Sequence, residues 1–290
     1  MNADASASRL RWRPPGWHAA KRRFPRMYRF WLLVRVVLRQ SAAAEFRRAW
    51  KSVREYVMGA EYEVVYRAAR SAFARTRAAR AYVIDVGAST GVFVGTLSRF
   101  IPLAGATCYE PLPDTWPARR ADLINVRFRD VAVGSRPGTV EISRANHPGL
   151  SSVLKLSSSY KYQFDGFDEI RMIESRTVEL VTLDHDFAAA DANGELIVLK
   201  IDTQGYELEV LKGATSLLRS DRVAVVVLEL MVKEKYDGQG SIDEVIRFLR
   251  DLGYEIYDIA RGCREVTGQV SEYDFVFCHN KYLADGEKGP

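Results

Sequence analysis

The chain has 290 residues, 47% hydrophobic and 27% charged, which is ordinary globular composition for one large domain or two small ones. Its three cysteines (Cys108, Cys263 and Cys278) lie far apart, odd in number and without a CxxC pair; this argues against a zinc site or disulfide framework and for a reducing compartment. The net charge of +5 conceals an asymmetry: residues 1–80 carry 19 Lys/Arg against 5 Asp/Glu, the remainder 23 against 32. A basic first quarter joined to an acidic body suggests an anionic partner for the basic part.

The first element is RMYRFWLLVRVVLRQ (26–40), whose apolar stretch is broken by Arg35 and is shorter than the ~20 residues needed to span a bilayer. Its late start and internal arginine argue against a cleaved secretory signal. Two readings stand side by side. One is an amphipathic helix lying on an anionic membrane, with residues 20–54 as the contact; the other is a helix packed on the domain with solvated arginines. Residues 45–80 have apolar positions at helical spacing (Phe46, Trp50, Val53, Tyr56, Val57) and lead into the domain. No zinc, RRM or helix-turn-helix pattern accompanies the charge, so nucleic acid is not expected as a partner.

From Ala81 the chain alternates strand and helix. Predicted strands are 81–86, 105–110, 125–133, 195–202, 223–230, 254–259 and 273–278; predicted helices are 91–100, 113–123, 206–218 and 241–253. Near-continuous apolar strands such as VAVVVLEL require cover on both faces. The expected fold is therefore α/β: a doubly wound, mostly parallel seven-stranded sheet ending in an antiparallel hairpin, with an N-terminal helical extension. The expected organisation is a basic helical extension over 1–80 and a domain over 81–290. Residues 134–182, with GTVEIS, a serine-rich piece and TVELVTL, form an insertion of short strands and loop beside the pocket.

In such a sheet, ligands bind beyond the carboxyl ends of the strands. The first strand ends there on VIDVGASTGVFVGTL (83–97). Glycine lets backbone approach a ligand closely, and free amides at a helix start suit polar groups. The spacing Gly87-x-x-x-Gly91 is not the dinucleotide G-x-G-x-x-G, and Phe93 stands where a dehydrogenase variant needs glycine. Alone, the loop is also compatible with a tight strand-to-helix turn, and Glu110 with a solvated loop acid.

Together, D-x-G-x-x-x-G, the acid ending the second strand and the residues after the third resemble the binding motifs of class I S-adenosylmethionine-dependent methyltransferases. The resemblance implies that Gly87 and Gly91, with Ala88, Ser89 and Thr90 between them, pass the methionine part of S-adenosyl-L-methionine. It implies that Asp85 faces the ammonium and that Glu110 accepts both ribose hydroxyls, as a carboxylate can from a vicinal diol. Asp130, Val131 and Ala132 match the region that caps the adenine.

The stretch LKIDTQGYELEVLKGA (199–214) narrows this, because it resembles the K-I-D-x-E-G-x-E-x-x-x-L-x-G hallmark of FkbM-type methyltransferases. TLDHDF (182–187), EL (229–230), LGYEIY (252–257) and EYDFVF (272–277) agree with it. Gln204 departs from it, standing where the family more often has Glu, so a role needing negative charge at 204 is in doubt. The resemblance implies O-methylation of a sugar, glycolipid or polyketide-type hydroxyl. Asp202 is the candidate base or acceptor-orienting group. Glu207 has a pocket role or a helix-cap role, both open. His147 is the second candidate base, and His185 looks like a surface residue at a helix start. No complete metal-ligand set is visible, so no metal is expected. The expected location is cytoplasmic, with peripheral contact at the inner face of the membrane. A non-catalytic membrane-associated scaffold of the same fold is the alternative reading.

Overall fold

The computed structural model describes residues 60–76, 78–112, 125–158, 170–187, 192, 194–260 and 268–283. The segment 20–54 expected to contact a membrane, the predicted helix 113–123 and Cys263 lie outside the described residues. Ten strands form two sheets among them: β1 Ala81–Val86, β2 Leu103–Tyr109, β3 Val126–Arg129, β4 Ala132–Val133, β5 Gly138–Ala145, β6 Met172–Val181, β7 Leu196–Ile201, β8 Val223–Met231, β9 Tyr254–Ala260 and β10 Glu272–His279. The large sheet runs β3-β2-β1-β7-β8-β10-β9, and the small one β4-β6-β5. Pairing is parallel from β3 through β8, and β10 is antiparallel to both β8 and β9. The terminal pair thus slots β10 inside, leaving β9 as the edge.

The large sheet is covered on both faces because its central strands β1, β7 and β8 are apolar at nearly every position. Tyr82, Ile84 and Val86 of β1 join Ile197, Leu199 and Ile201 of β7 in one core. Helices α4 Glu207–Lys212, α5 Thr215–Arg219 and α6 Ile242–Asp251 contribute Val210, Leu211, Leu217, Leu218, Val245 and Leu249 to it. A capping box fixes the start of α6: Ser241 accepts from the Glu244 amide while Glu244 accepts from that of Ser241. Val83 and Val198 point into the opposite core with Val64, Val65, Ala68, Ala69 and Ala72 of α1 (Ala60–Phe73) and Phe93, Val94 and Leu97 of α2 (Val92–Leu97). The remaining described helix, α3, spans Leu183–Asp186. The compact unit accordingly begins at Ala60, twenty-one residues before the first strand.

The expected strand 125–133 is two strands. It breaks at Asp130, after which Ala132 and Val133 leave the large sheet to pair with Leu180 and Val181 of β6. This break turns Val131–Val133 toward the mouth of the large sheet and hangs the small sheet beside it. The two parts are tied again at Gly213, where an added Cβ would lie 2.0 Å from the carbonyl oxygen of Gly134. The last glycine of the 199–214 motif is therefore required by backbone contact.

Candidate active site

A cleft open to solvent lies at the carboxyl ends of β1, β2 and β7, where open α/β sheets bind ligands. Gly87, Ser89 and Glu110 line one side of it, Val131 and Ala132 another, and Asp202, Thr203, Gln204 and Tyr206 a third. Ile142 of the small sheet, with Gly149 and Ser151–Val153 from the segment after β5, closes the rim.

The glycine loop is held from both sides. The amides of Gly87 and Ala88 donate to the Tyr109 carbonyl at 2.9 and 3.1 Å, and the Asp202 amide donates to the Val86 carbonyl at 2.9 Å. Gly87 has φ +74°, and a Cβ there would lie 1.8 Å from the Asp202 carbonyl oxygen. Gly91 caps α2 with φ 68°, also left-handed. Glu110 is 8% exposed, and its two oxygens accept the amides of Ser89 and Leu112, each at 2.9 Å. Those bonds aim the carboxylate along the loop and leave lone pairs facing the cleft. Burial nevertheless pushes its pKa up to about 7.

Asp85 lies behind the loop, fully buried, with no hydrogen-bond partner on either oxygen. Its neighbour in register is Lys200, whose Nζ lies 3.9 Å from Oδ1. Burial raises Asp85 to about 6, with Lys200 opposing. Lys200 sits closer to Asp202, 2.9 Å from Oδ2. Burial works against the lysine's charge, but Asp202 and Asp85 outweigh it and keep the lysine protonated. In turn burial works against the Asp202 charge, and Lys200 and the Gln204 amide hold its pKa below the usual carboxylate range. Asp202 is thus an ionised carboxylate on the cleft wall, its side chain 29% exposed.

Glu207 braces the loop that leads into its helix. One oxygen accepts the Thr203 amide (2.8 Å), the Thr203 hydroxyl (3.1 Å) and the Gly205 amide (3.1 Å), and the residue is buried rather than in the cleft wall. Burial pushes its pKa up to about 7. His147 and His185 are exposed, and neither is part of the cleft lining. Asp130 is exposed just outside the cleft, while Val131 and Ala132 beside it are inside. Ala88, Thr90 and Gly91 shape the loop without lining the cleft. Among the described residues no group of three or more His, Cys, Asp or Glu is placed to hold a metal.

Four residues not assigned from sequence complete the site. Gln204, with φ +55°, donates its amide to Asp202 and to Glu229 at the end of β8. Tyr236 bonds the other end of Gln204, and half-buried Tyr206 lines the cleft. A signal was present for Glu229: an acid inside an otherwise apolar strand is rare unless it has a partner.

The raised carboxyls have a consequence for stability. Asp85, Glu110 and Glu207 hold protons in the folded chain that the unfolded chain has already released above the ordinary carboxylate range. Their contribution is fully present below about pH 4 and is lost as pH rises through about 6 to 7. The cofactor-free protein should therefore lose on the order of 2 kcal/mol or more in urea unfolding between about pH 5 and pH 8. Glu110→Gln should flatten that slope, and an unchanged slope in the variant counts against a raised Glu110.

The model of the family described as methyltransferase FkbM domain matches residues 85–256. The chain is similar to methyltransferase sdnD of Sordaria araneosa, 23% identical over 197 residues, covering 60% of this chain and 74% of that protein. It also aligns with two solved structures. One is magnesium protoporphyrin IX methyltransferase of Synechocystis PCC 6803 with bound S-adenosylmethionine: 12% identity, 83% and 85% of the two chains, TM-score 0.35. The other is 1,6-didemethyltoxoflavin-N1-methyltransferase of Burkholderia thailandensis: 12% identity, 96% and 98% of the two chains, TM-score 0.35. The family match spans more than half of the chain and contains both the Asp85–Gly91 loop and the 199–214 motif, and so this protein belongs to the FkbM methyltransferase family, a methyltransferase dependent on S-adenosylmethionine.

Proposed function

We propose that the protein methylates a hydroxyl oxygen of a small-molecule acceptor of the sugar, glycolipid or polyketide class. The observation that carries this is Asp202, an ionised carboxylate on the cleft wall, aimed by Lys200 and Gln204 and next to the loop that would hold the cofactor. Gly87 and Ser89 would pass the methionine part, Glu110 would accept the ribose diol, and Val131 and Ala132 would flank the base. Asp85 would supply negative charge behind the loop. These residues fit the cofactor, since Glu110 has spare acceptor capacity toward the cleft and Asp85 is a buried carboxyl without hydrogen bonds. The bound cofactor supplies a sulfonium-activated methyl group.

The protein's own task is orientation and proton removal. Asp202 accepts a hydrogen bond from the acceptor hydroxyl and turns the oxygen's lone pair toward the methyl group. A carboxylate of low pKa is a weak base for a free alcohol. The proton becomes strongly acidic only as the oxygen gains its new bond to carbon, so Asp202 accepts it during attack. An intact loop and family membership support this reading over the non-catalytic scaffold. The basic segment 20–54 supports peripheral contact with anionic lipid as part of the same proposal, and no described helix is long and apolar enough to cross a membrane.

The test is transfer of isotopically labelled methyl from S-adenosylmethionine to a panel of sugar, glycolipid and polyketide alcohols, read by mass spectrometry. Asp202→Asn should lower kcat by about 10²–10⁴-fold. Its affinity for S-adenosylhomocysteine should change far less. Wild-type turnover in D202N, or methylation at nitrogen or carbon, overturns the proposal.

A further inference from the structure

Gln204 is the junction of the site. Its Nε2 lies 3.1 Å from Asp202 Oδ1 and 2.6 Å from Glu229 Oε2, so each of its two amide hydrogens meets one carboxyl group. The Tyr236 hydroxyl, which donates to the Leu150 carbonyl at 2.9 Å, lies 3.3 Å from Gln204 Oε1. Two carboxyls on the Nε2 side set the orientation of the amide. The backbone is pinned too: buried Ser152 donates to the Gln204 carbonyl at 2.8 Å. A glutamine held this firmly, with φ +55°, is an adjusted linkage between β7 and β8.

The charges around it are unbalanced. Asp85 and Asp202 share Lys200, and Lys235 forms an ion pair with Glu272. Asp274 is opposite Glu229 in the β8–β10 register. Two buried or half-buried aspartates thus share one lysine, and among the described residues no ion pair reaches Glu229. Two carboxyls bridged by one amide in a poorly solvated site do not both stay ionised easily.

We propose that Glu229 is a positioning residue for methyl transfer: joined to Asp202 through the Gln204 amide, it carries a proton in the resting site and sets the orientation and basicity of Asp202. The proposal rests on the reading that Asp202 faces the acceptor hydroxyl. In the reaction the acceptor O–H bond breaks as its C–O bond forms. The released proton goes to Asp202, taking the Asp202–Glu229 pair from one proton to two. It then leaves to solvent through the open cleft. Burial first, then Asp202, Glu272 and Asp274, raise Glu229 well above the ordinary carboxylate range, consistent with a protonated resting state.

The test is carboxyl ¹³C NMR on the full cofactor-free chain, titrated between about pH 3 and about pH 9. Signals are assigned with Asp202→Asn and Glu229→Gln. The Asp202 signal should move in two steps in the wild type, the second as Glu229 releases its proton, and in one step in E229Q. Identical Asp202 curves in wild type and E229Q overturn the proposal. In turnover, E229Q keeps a neutral hydrogen-bonding group and should fall about threefold while losing the alkaline limb; E229A should fall at least about tenfold. Equal losses in the two variants also overturn it. A D202N enzyme with normal turnover would sink the proposed function, whereas the NMR coupling would stand or fall separately.

Discussion

Gly87→Ala is expected to cost on the order of 3–5 kcal/mol of stability and to abolish measurable S-adenosylhomocysteine binding. Two penalties add at this residue. An L-side chain at φ +74° costs about 1 kcal/mol by itself. The larger part is space, since the new Cβ would sit 1.8 Å from the Asp202 carbonyl oxygen and 2.8 Å from its carbon. Backbone cannot swing aside as a side chain can. Relief requires the tips of β1 and β7 to part, which breaks the bond from the Asp202 amide to the Val86 carbonyl. Those tips carry the loop and Asp202, so the binding surface is lost along with the strain. Gly194→Ala is the internal control: its φ is +81°, but nothing lies within 4 Å of an added Cβ. It should show the conformational cost alone. Urea denaturation and calorimetry on both variants separate the terms, and a G87A protein within about 1 kcal/mol of wild type would refute the spatial argument.

This result also sharpens what a glycine motif says. The spacing of Gly87 and Gly91 was legible as a ligand loop. The nearest reason for Gly87, however, is the neighbouring strand's backbone, a contact between residues 115 positions apart. Buried strands were equally legible, because β1, β7 and β8 are apolar at nearly every position whichever helix covers them. The break after β3 was not: Val131, Ala132 and Val133 look the same whether they continue one sheet or join another, and only the pairing with Leu180 and Val181 decides. Helix α1 was hard to place for a related reason. Its buried face is largely alanine (Ala68, Ala69, Ala72), a weak hydrophobic signal beside its arginines. At the site, acids at strand ends stood out. The bracing contacts of Glu207 did not, because they depend on a loop bent by left-handed Gln204 and Gly205. The Gln204–Glu229 bridge joins two strands through one side chain, which no local pattern reveals.

Lys200→Met should be the second severe substitution, and its severity should depend on pH. Methionine retains most of the stem beside the Phe93 ring, over which the Lys200 ammonium lies at 5.7 Å, so the loss reports charge more than volume. Without that ammonium, Asp85 and Asp202 are left as mutually repelling carboxylates, one fully buried and the other on the cleft wall. Removing one partner of a buried ion pair typically costs about 3–5 kcal/mol, most of it from the charge left behind. The site can lower this cost by taking up protons. Lys200 lowers both aspartates in the native protein, so its removal raises both folded-state pKa values. The variant then binds protons that the unfolded chain does not, and it regains stability relative to wild type as pH falls. The deficit should be large at about pH 8 and at least about 1 kcal/mol smaller at about pH 5. Adding Asp85→Asn should recover part of the loss at pH 8 and remove much of the pH dependence, giving a coupling energy of about 1–3 kcal/mol in the double-mutant cycle. A K200M deficit that is flat with pH would mean that Lys200 contributes packing and not compensation of charge. The functional consequence follows from the same balance. The ammonium that stabilises the fold is the one that keeps Asp202 ionised, so K200M should also move the acidic limb of turnover to higher pH, toward the range where Asp85 already titrates.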